Sequence, residues 1–360
     1  MALNVAHLFA NLLLSLMLIL ESSAFAMSQK TLDYCRKFNN ACDVMSCIMK
    51  PLTPETIEKL EAEIKQLEQD LARTSSDHEQ IRRVKDEIII VRDRLRFLRA
   101  GLKPPGLLTV PGGSFKMGEK ADIAVSLRAF SVAETHVTQG EWKQLSDGVN
   151  PARFKGNVRP VEMISWASMV MYTMKLNERL GLEQPLDLSK MDSSKFTGRW
   201  VNGTLDFNGE EKSKLRVDLK KTGYRLPTEA EWEYLARNLG ASRGEYPHGL
   251  SESDLSEYSV YWGNSSEQTA DVKSKKPLLI DGREIYDLMG NVLIGTLDSW
   301  RDNPLGGDNP VQLSGSSVRV LRGGSWYNGG AGVLRSASRN GVGAGGRDAS
   351  ISLRLVRTLP

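Results

Sequence analysis

The sequence predicts an α+β domain with little regular secondary structure, preceded by an α-helical hairpin with a coiled-coil seam. Three observations carry this. Apolar residues repeat at three- and four-residue spacing through 54–100 and then stop at a Pro/Gly linker. Beyond the linker, short alternating strands and helix caps are separated by long Gly-, Asn- and Asp-rich stretches. The C-terminus closes on alternating apolar residues, Val318 and Val320 at one end and Ile351, Leu353 and Leu355 at the other. Between these ends lie mostly Gly, Ala, Ser, Val, Asp and Asn, which cannot fill a core and so read as a surface held by a scaffold.

A chain of 360 residues allows about two domains on a prior of roughly 150 residues each. Hydrophobic residues make up 40% and charged residues 25%, ordinary values for a globular protein. The net charge of +3 is mixed in sign and no basic stripe interleaves with aromatics, so nucleic acid is not an expected partner.

Residues 1–26 read as a signal peptide. Leu12 to Leu20 is apolar and Ala24-Phe25-Ala26 fits a cleavage site, although no Lys or Arg precedes the run. A retained N-terminal helix is the alternative. Export to the periplasm, the cell surface or the medium is the expectation. Residues 27–53 hold all three cysteines, Cys35, Cys42 and Cys47. Their spacing fits no zinc pattern; one local disulfide and one further thiol suit an oxidising compartment.

In 54–100, Thr53 caps a first helix with Pro54 at its first position. Ile57, Leu60, Ile64, Leu67 and Leu71 form the seam. Ser76 and Glu79 make a capping box for a second helix carrying Ile81, Val84, Ile88, Val91, Leu95 and Leu98. The pair serves either as a stalk for self-association or as a cap on the main domain, and the sequence leaves both open. Residues 101–106, with Pro104-Pro105, are a stiff linker.

The main domain spans 107–360. Leu107 to Met117 reads as a hairpin turning near Pro111-Gly112-Gly113. Thr138 and Glu141 form a capping box, with Val137 and Trp142 as its staple. Ser165 caps a helix that Gly181 closes. Residues 183–222, with Trp200 and Phe207, look like an inserted loop with short strands. Thr228 and Glu231 cap a short helix that ends at Gly240.

Seven stretches then occur in order: Gly112-Gly-Ser-Phe-Lys-Met-Gly118, Val137-Thr-Gln-Gly-Glu-Trp142, Asn150-Pro-Ala-Arg-Phe-Lys-Gly156, Arg159-Pro-Val-Glu162 with Ser165-Trp166, Tyr224-Arg-Leu-Pro-Thr-Glu-Ala-Glu-Trp-Glu-Tyr234, Asp287-Leu-Met-Gly-Asn-Val292 and Arg322-Gly-Gly-Ser-Trp326. Together they resemble the sulfatase-modifying-factor, or formylglycine-generating enzyme, family over about 107–357. The resemblance implies a C-type-lectin-like fold. It also implies an oxidase that holds copper through two cysteines after the Gly-Gly-Ser motif. Here the matching positions hold Asn328 and about Val333, and no cysteine follows Cys47. Neither side chain binds copper(I) or exchanges a disulfide, so no catalytic residue is assigned. The family's iron-dependent relatives use a histidine cluster, whereas His7, His78, His136 and His248 are dispersed and read as ordinary surface or satisfied histidines. The resemblance also implies calcium-binding loops, matched by Asn264, Asp287 and Asn291, but the Trp-Glu-Trp that supplies a carboxylate is replaced by Leu293-Ile-Gly295. Calcium and turn capping both stay open for these residues.

The C-terminal segment is similar to that of variable proteins of diversity-generating retroelements, in which adenine mutagenesis converts Asn codons mainly to Gly, Ala, Val, Asp, Ser and similar residues. The resemblance implies a ligand-binding surface of Trp326, Tyr327, Asn328, Gly330, Val333, Arg335, Ser338, Asn340, Val342, Asp348 and Ser350, facing a protein or glycan. Leu334, Arg335, Arg339 and Arg347 interrupt the small residues. A sulfatase-activating enzyme with altered chemistry and an envelope structural protein are the competing readings.

Overall fold

The computed structural model describes residues 54–73, 78–120, 122–187 and 215–359. The expected signal peptide, the cysteines, the capping box at Ser76 and the loop aromatics Trp200 and Phe207 lie outside these. The chain divides into two units at Asp77–His78. In the first, helix α1 (Pro54–Arg73) is described, and it begins at the proline the sequence marked.

The second unit begins with helix α2 (His78–Arg99). This helix is part of the domain that follows it. Asp93 accepts hydrogen bonds from Arg357 and from the Tyr224 hydroxyl, and Phe97 meets Tyr224 edge to face at 5.6 Å. Asp86 accepts from Thr109 Oγ1 at 2.9 Å. The domain boundary therefore falls before α2 rather than after it.

Strands β1 (Leu107–Val110) and β2 (Gly113–Met117) form, but not as a hairpin with each other. β1 pairs with β4 (Phe130–Ala133), and β2 pairs with β3 (Ile123–Leu127). Pro111-Gly112 carries the chain from one sheet to the next. A Cβ at Gly112 would lie 2.7 Å from the Leu127 carbonyl oxygen, so only glycine lets the two backbones pass.

Three helices follow the local capping chemistry. Thr138 and Glu141 make the expected capping box for α3 (Gln139–Leu145). Ser165 caps α4 (Trp166–Leu180), and Gly181 at φ 64° ends it. Thr228 and Glu231 cap α5 (Glu229–Ala236), which stops three residues earlier than the sequence suggests; Asn238, Leu239 and Gly240 then take positive φ. Val137 and Trp142 are both buried, and Trp142 stacks on Tyr172 of α4 at 5.1 Å.

Short strands β5 (Leu186–Asp187), β6 (Arg216–Val217), β8 (Leu278–Ile280), β9 (Arg283–Ile285) and β11 (Gly307–Asp308) lie in the smaller sheets, and two four-stranded sheets hold the domain together. One has the order β1, β4, β15 (Val356–Thr358), β7 (Tyr224–Arg225). The other has the order β13 (Asn340–Gly343), β12 (Val318–Arg322), β10 (Leu293–Ser299), β14 (Ile351–Ser352). The final strands thus thread through both sheets, and Leu353, fully buried between them, keeps the apolar alternation of the C-terminus. β13 lies inside the small-residue segment and pairs antiparallel with β12, which fixes that segment on the scaffold.

Candidate functional site

The segment from Gly323 to Ser350 is held from below by buried ionic groups. Arg322 is fully buried and donates to Glu233 Oε2 at 2.5 Å and to the carbonyls of Ser336, Ala337 and Ser338 at 2.9, 3.0 and 2.6 Å. Its guanidinium lies 4.6 Å from the Trp232 ring centroid. Leu334 is fully buried against Tyr246, Leu255 and Met289. Arg339 binds Glu229 through both Nε and a terminal nitrogen and covers Trp300. Leu334 and Arg339, two of the residues that interrupt the small-residue run, are therefore fastenings.

Gly323 and Gly324 belong to the same frame. Their φ values are 98° and 71°, and a Cβ would lie 2.8 Å from the Leu288 carbonyl oxygen and from the Leu334 side chain, respectively. The opposite holds at Gly329, Gly330, Gly332, Gly343 and Gly345. None has a left-handed φ, and an added Cβ meets nothing within 4 Å. Five glycines sit where backbone conformation does not require them.

Among the expected ligand residues, Tyr327 and Asp348 are exposed, as is Gly330. Asn328, Val333, Ser338, Asn340 and Val342 are half-buried. Arg335 is half-buried too, and pairs with Glu119 at 3.0 Å. Trp326 and Ser350 depart from the expectation, because both lie below the surface. Trp326 packs among Val260, Val292 and Ala349 and donates its indole N–H to the Ala349 carbonyl at 2.9 Å. Ser350 is buried and donates to the Asp348 carboxylate.

The sequence reading missed the aromatic neighbours of this surface. Phe154 meets Trp326 edge to face at 5.2 Å, Trp326 meets Tyr327 at 5.3 Å, and Tyr327 meets Trp262 at 5.9 Å. Four rings from three separate loops make one ladder from interior to surface. Gln139 and Glu162 hold the loop carrying Phe154. Gln139 Nε2 donates to the Phe154 carbonyl at 2.7 Å, and Glu162 Oε1 accepts from the Phe154 N–H at 2.7 Å. Nothing in the local pattern around Trp262 marks it, since Trp beside Gly is equally common in a core.

Of the residues matched to calcium loops, Asn264 closes a turn, whereas Asp287 and Asn291 tie their loop to backbone distant in the chain. Asn264 Oδ1 accepts from the Tyr261 N–H, Asp287 Oδ2 from the Lys273 N–H and Asn291 Oδ1 from the Ala270 N–H, at 2.9 to 3.0 Å. Asp287 and Asn291 both take positive φ, which Asp and Asn tolerate. Among the described residues no three His, Cys, Asp or Glu side chains are grouped to hold a metal.

His136 is buried, and neither ring nitrogen has a hydrogen bond of good geometry, although the Val292 backbone approaches it. Burial first, and then the nearby Arg354 charge, hold its pKa well below the usual range and keep it neutral. His136 is thus a core histidine rather than a surface one. His248 does find a partner, the Leu235 carbonyl. A cavity of about 510 Å³ opens over β2 and β3, beside Lys116, Arg243 and Asp308, and none of its lining residues comes from 323–350.

Asp298, on β10, is buried next to Glu229. Burial, then the Glu229 carboxylate, push its pKa from 3.8 up to about 7, against the pull of N–H donors from Glu229 and Gln312. Between about pH 4 and 7 the native state keeps a proton that the unfolded chain has released. The contribution is complete below the unfolded pKa and is lost as pH rises through about 7. On going from pH 5 to pH 8 the native protein is expected to lose on the order of 2–4 kcal/mol through this group. Asp298→Ala removes that part of the slope, which urea unfolding at the two pH values measures. Equal slopes in the two proteins would contradict the assignment.

The model of the sulfatase-modifying factor enzyme 1-like domain matches residues 97–359. The chaperone protein LppX of Paenibacillus barcinonensis is 28% identical over 240 residues, covering 62% of this chain and 79% of that protein. Treponema denticola variable protein 1 is similar in structure at a TM-score of 0.61 and 30% identity, over 70% of this chain and 95% of that one. CarF, with a TM-score of 0.52 at 22% identity, and PvdO from Pseudomonas aeruginosa, with 0.51 at 22%, share the fold over 71% of this chain and 99% and 100% of theirs. The match spans α2's last turn, both four-stranded sheets and the whole small-residue segment, so this chain belongs to the family of sulfatase-modifying factor enzyme 1-like domains.

Proposed function

We propose that this protein is an exported recognition protein, in which a C-type-lectin-like frame presents the 327–350 surface to a protein or glycan ligand. The observation that carries the reading is the contrast between two sets of glycines. Gly323 and Gly324 are required by backbone geometry, whereas Gly329, Gly330, Gly332, Gly343 and Gly345 face open space with ordinary φ. A segment fastened by Arg322, Leu334 and Arg339 can change its side chains at the open positions without changing its backbone. Adenine-directed diversification of Asn codons is the proposed source of this composition, and the similarity to a variable protein supports it. Asn328 and Val333 stand where the family's oxidase carries cysteines, which favours binding over thiol oxidation. The helices of 54–100 supply a proposed self-association or spacer element through the α1 seam.

Side chains of any size are expected at the open positions. Gly329→Tyr, Gly330→Asp, Gly332→Ser, Gly343→Asn and Gly345→Ser should each change unfolding free energy by no more than about 0.5 kcal/mol, or stabilise slightly by restricting the unfolded chain. Gly323→Ala and Gly324→Ala should each cost roughly 2 kcal/mol or more, because they add both strain and a clash. Comparable losses in the two sets would remove the basis for a variable surface. At the DNA level, the proposal requires a near-identical template repeat and a reverse transcriptase gene beside the locus.

A further inference from the structure

The exposed pair Trp262–Tyr327 points to what this surface grips, and the step rests on reading 327–350 as a recognition surface. Among the described residues only Val158, Trp262, Leu279 and Tyr327 are large apolar side chains left exposed, and two of these four touch each other. Trp262 is 49% and Tyr327 60% exposed. They stand nearly perpendicular, at 82°, at the end of a ladder whose lower rungs cannot move freely. Trp326 is fixed by its bond to Ala349, and the Phe154 backbone by Glu162 and Gln139. Rings mounted in this way lose little conformational entropy on binding. Arg153 lies 5.2 Å from the Phe154 ring centroid, and both Arg153 and Lys155 are exposed above the buried Glu162 carboxylate, which acts on both. Lys155 donates to the Asn150 carbonyl.

We infer that Trp262, Tyr327 and Arg153 are the constant anchor of the recognition surface, and that they take an apolar side chain of a protein partner with a carboxylate beside it. The open glycine positions next to Tyr327 then set which protein is accepted. The polar groups around the rings favour a protein over a sugar. Asn264 spends its amide on Tyr261, Ser259 and Ser256, Asn328 accepts from Ser325 and Asp348 from Ser350. Few groups remain to read hydroxyls, while the rings and two exposed cations, which outnumber the buried Glu162 carboxylate below them, face outward. Binding hot spots are typically Trp, Tyr and Arg.

The test pans a random dodecapeptide phage library on the full chain. Enriched peptides should carry an aromatic or long aliphatic residue within a few positions of Asp or Glu. A synthetic enriched peptide should bind about tenfold or more weaker to Trp262→Ala and Tyr327→Ala, and severalfold weaker to Arg153→Gln. Trp262→Phe should retain most of the affinity, and unchanged melting of all four variants would show that folding is not the cause. Binding that falls with Gly330→Trp yet ignores Trp262→Ala overturns the anchor and leaves the recognition surface standing. Binding that ignores both sinks the two together. The anchor also fails if nothing is enriched, or if a glycan array yields the Trp262-dependent ligand instead.

Discussion

Replacing Glu233 by Ala is expected to lower the unfolding free energy by about 3–5 kcal/mol, the usual cost of stranding a buried charge. The carboxylate is fully buried and serves three donors at once. Oε1 accepts from Arg237 Nε at 2.7 Å and from the Gly118 N–H at 2.8 Å, while Oε2 accepts from Arg322 at 2.5 Å. Its removal leaves two buried guanidiniums facing each other. Glu229 lies 3.8 Å from Arg322 and already serves Arg339, so it offsets only part of the loss. Replacing Arg322 by Met as well should not rescue the protein, since the carbonyls of Ser336, Ala337 and Ser338 would then lose their donor inside the fold. Chemical denaturation of the two variants measures this. Amide exchange in 334–343 should also rise in Glu233→Ala before global unfolding does, which reports on the proposed recognition surface. A loss below about 1 kcal/mol would mean that the network does not hold the segment.

How much of this could be read beforehand depended on the range of the forces involved. The helix starts at Thr138, Ser165 and Thr228 were legible because a cap is a contact between neighbours in the chain. The ordered motifs were legible as a family, and the missing cysteines as missing chemistry. Pairing was not legible. Pro111-Gly112 has the composition of a turn, but β1 gains more by pairing with β4, inside the sheet that β15 completes, than with β2. The resemblance to variable proteins puts Trp326 on the binding surface, but the side chain is buried. Its burial comes from Val260, Val292 and Ala349, which no local pattern places beside it. Trp262 was passed over for the converse reason. The small-residue composition did announce a surface, yet only the backbone geometry separates the two required glycines from the five that face open space.

The second large effect concerns helix α2. Its seam residues repeat like a coiled coil, but Asp86, Asp93 and Phe97 lie on another face, spaced seven and four apart, and that face docks on the domain. Two aspartates on one face ordinarily mean solvent. Here Asp93 is 2% exposed and meets Arg357, which is itself buried and packs 5.5 Å from the Tyr224 ring centroid. No other carboxylate among the described residues pairs with Arg357. Asp93→Ala therefore strands a buried guanidinium on β15 and should cost about 3–5 kcal/mol. Asp93→Asn should cost less, because its carbonyl oxygen still accepts from Arg357. Arg96, which reaches Asp93 at 3.1 Å from a half-exposed position, can turn to water and should cost under about 1 kcal/mol when replaced by Ala. Truncation makes the larger version of the same argument. A chain starting at His78 keeps Asp86, Asp93 and Phe97 and should unfold cooperatively. A chain starting at Gly101 leaves Arg357 without Asp93, Thr109 without Asp86 and the Tyr224 ring without Phe97, and should not fold. If the shorter chain folded with an unchanged midpoint, α2 would be a stalk beside the domain rather than part of its core.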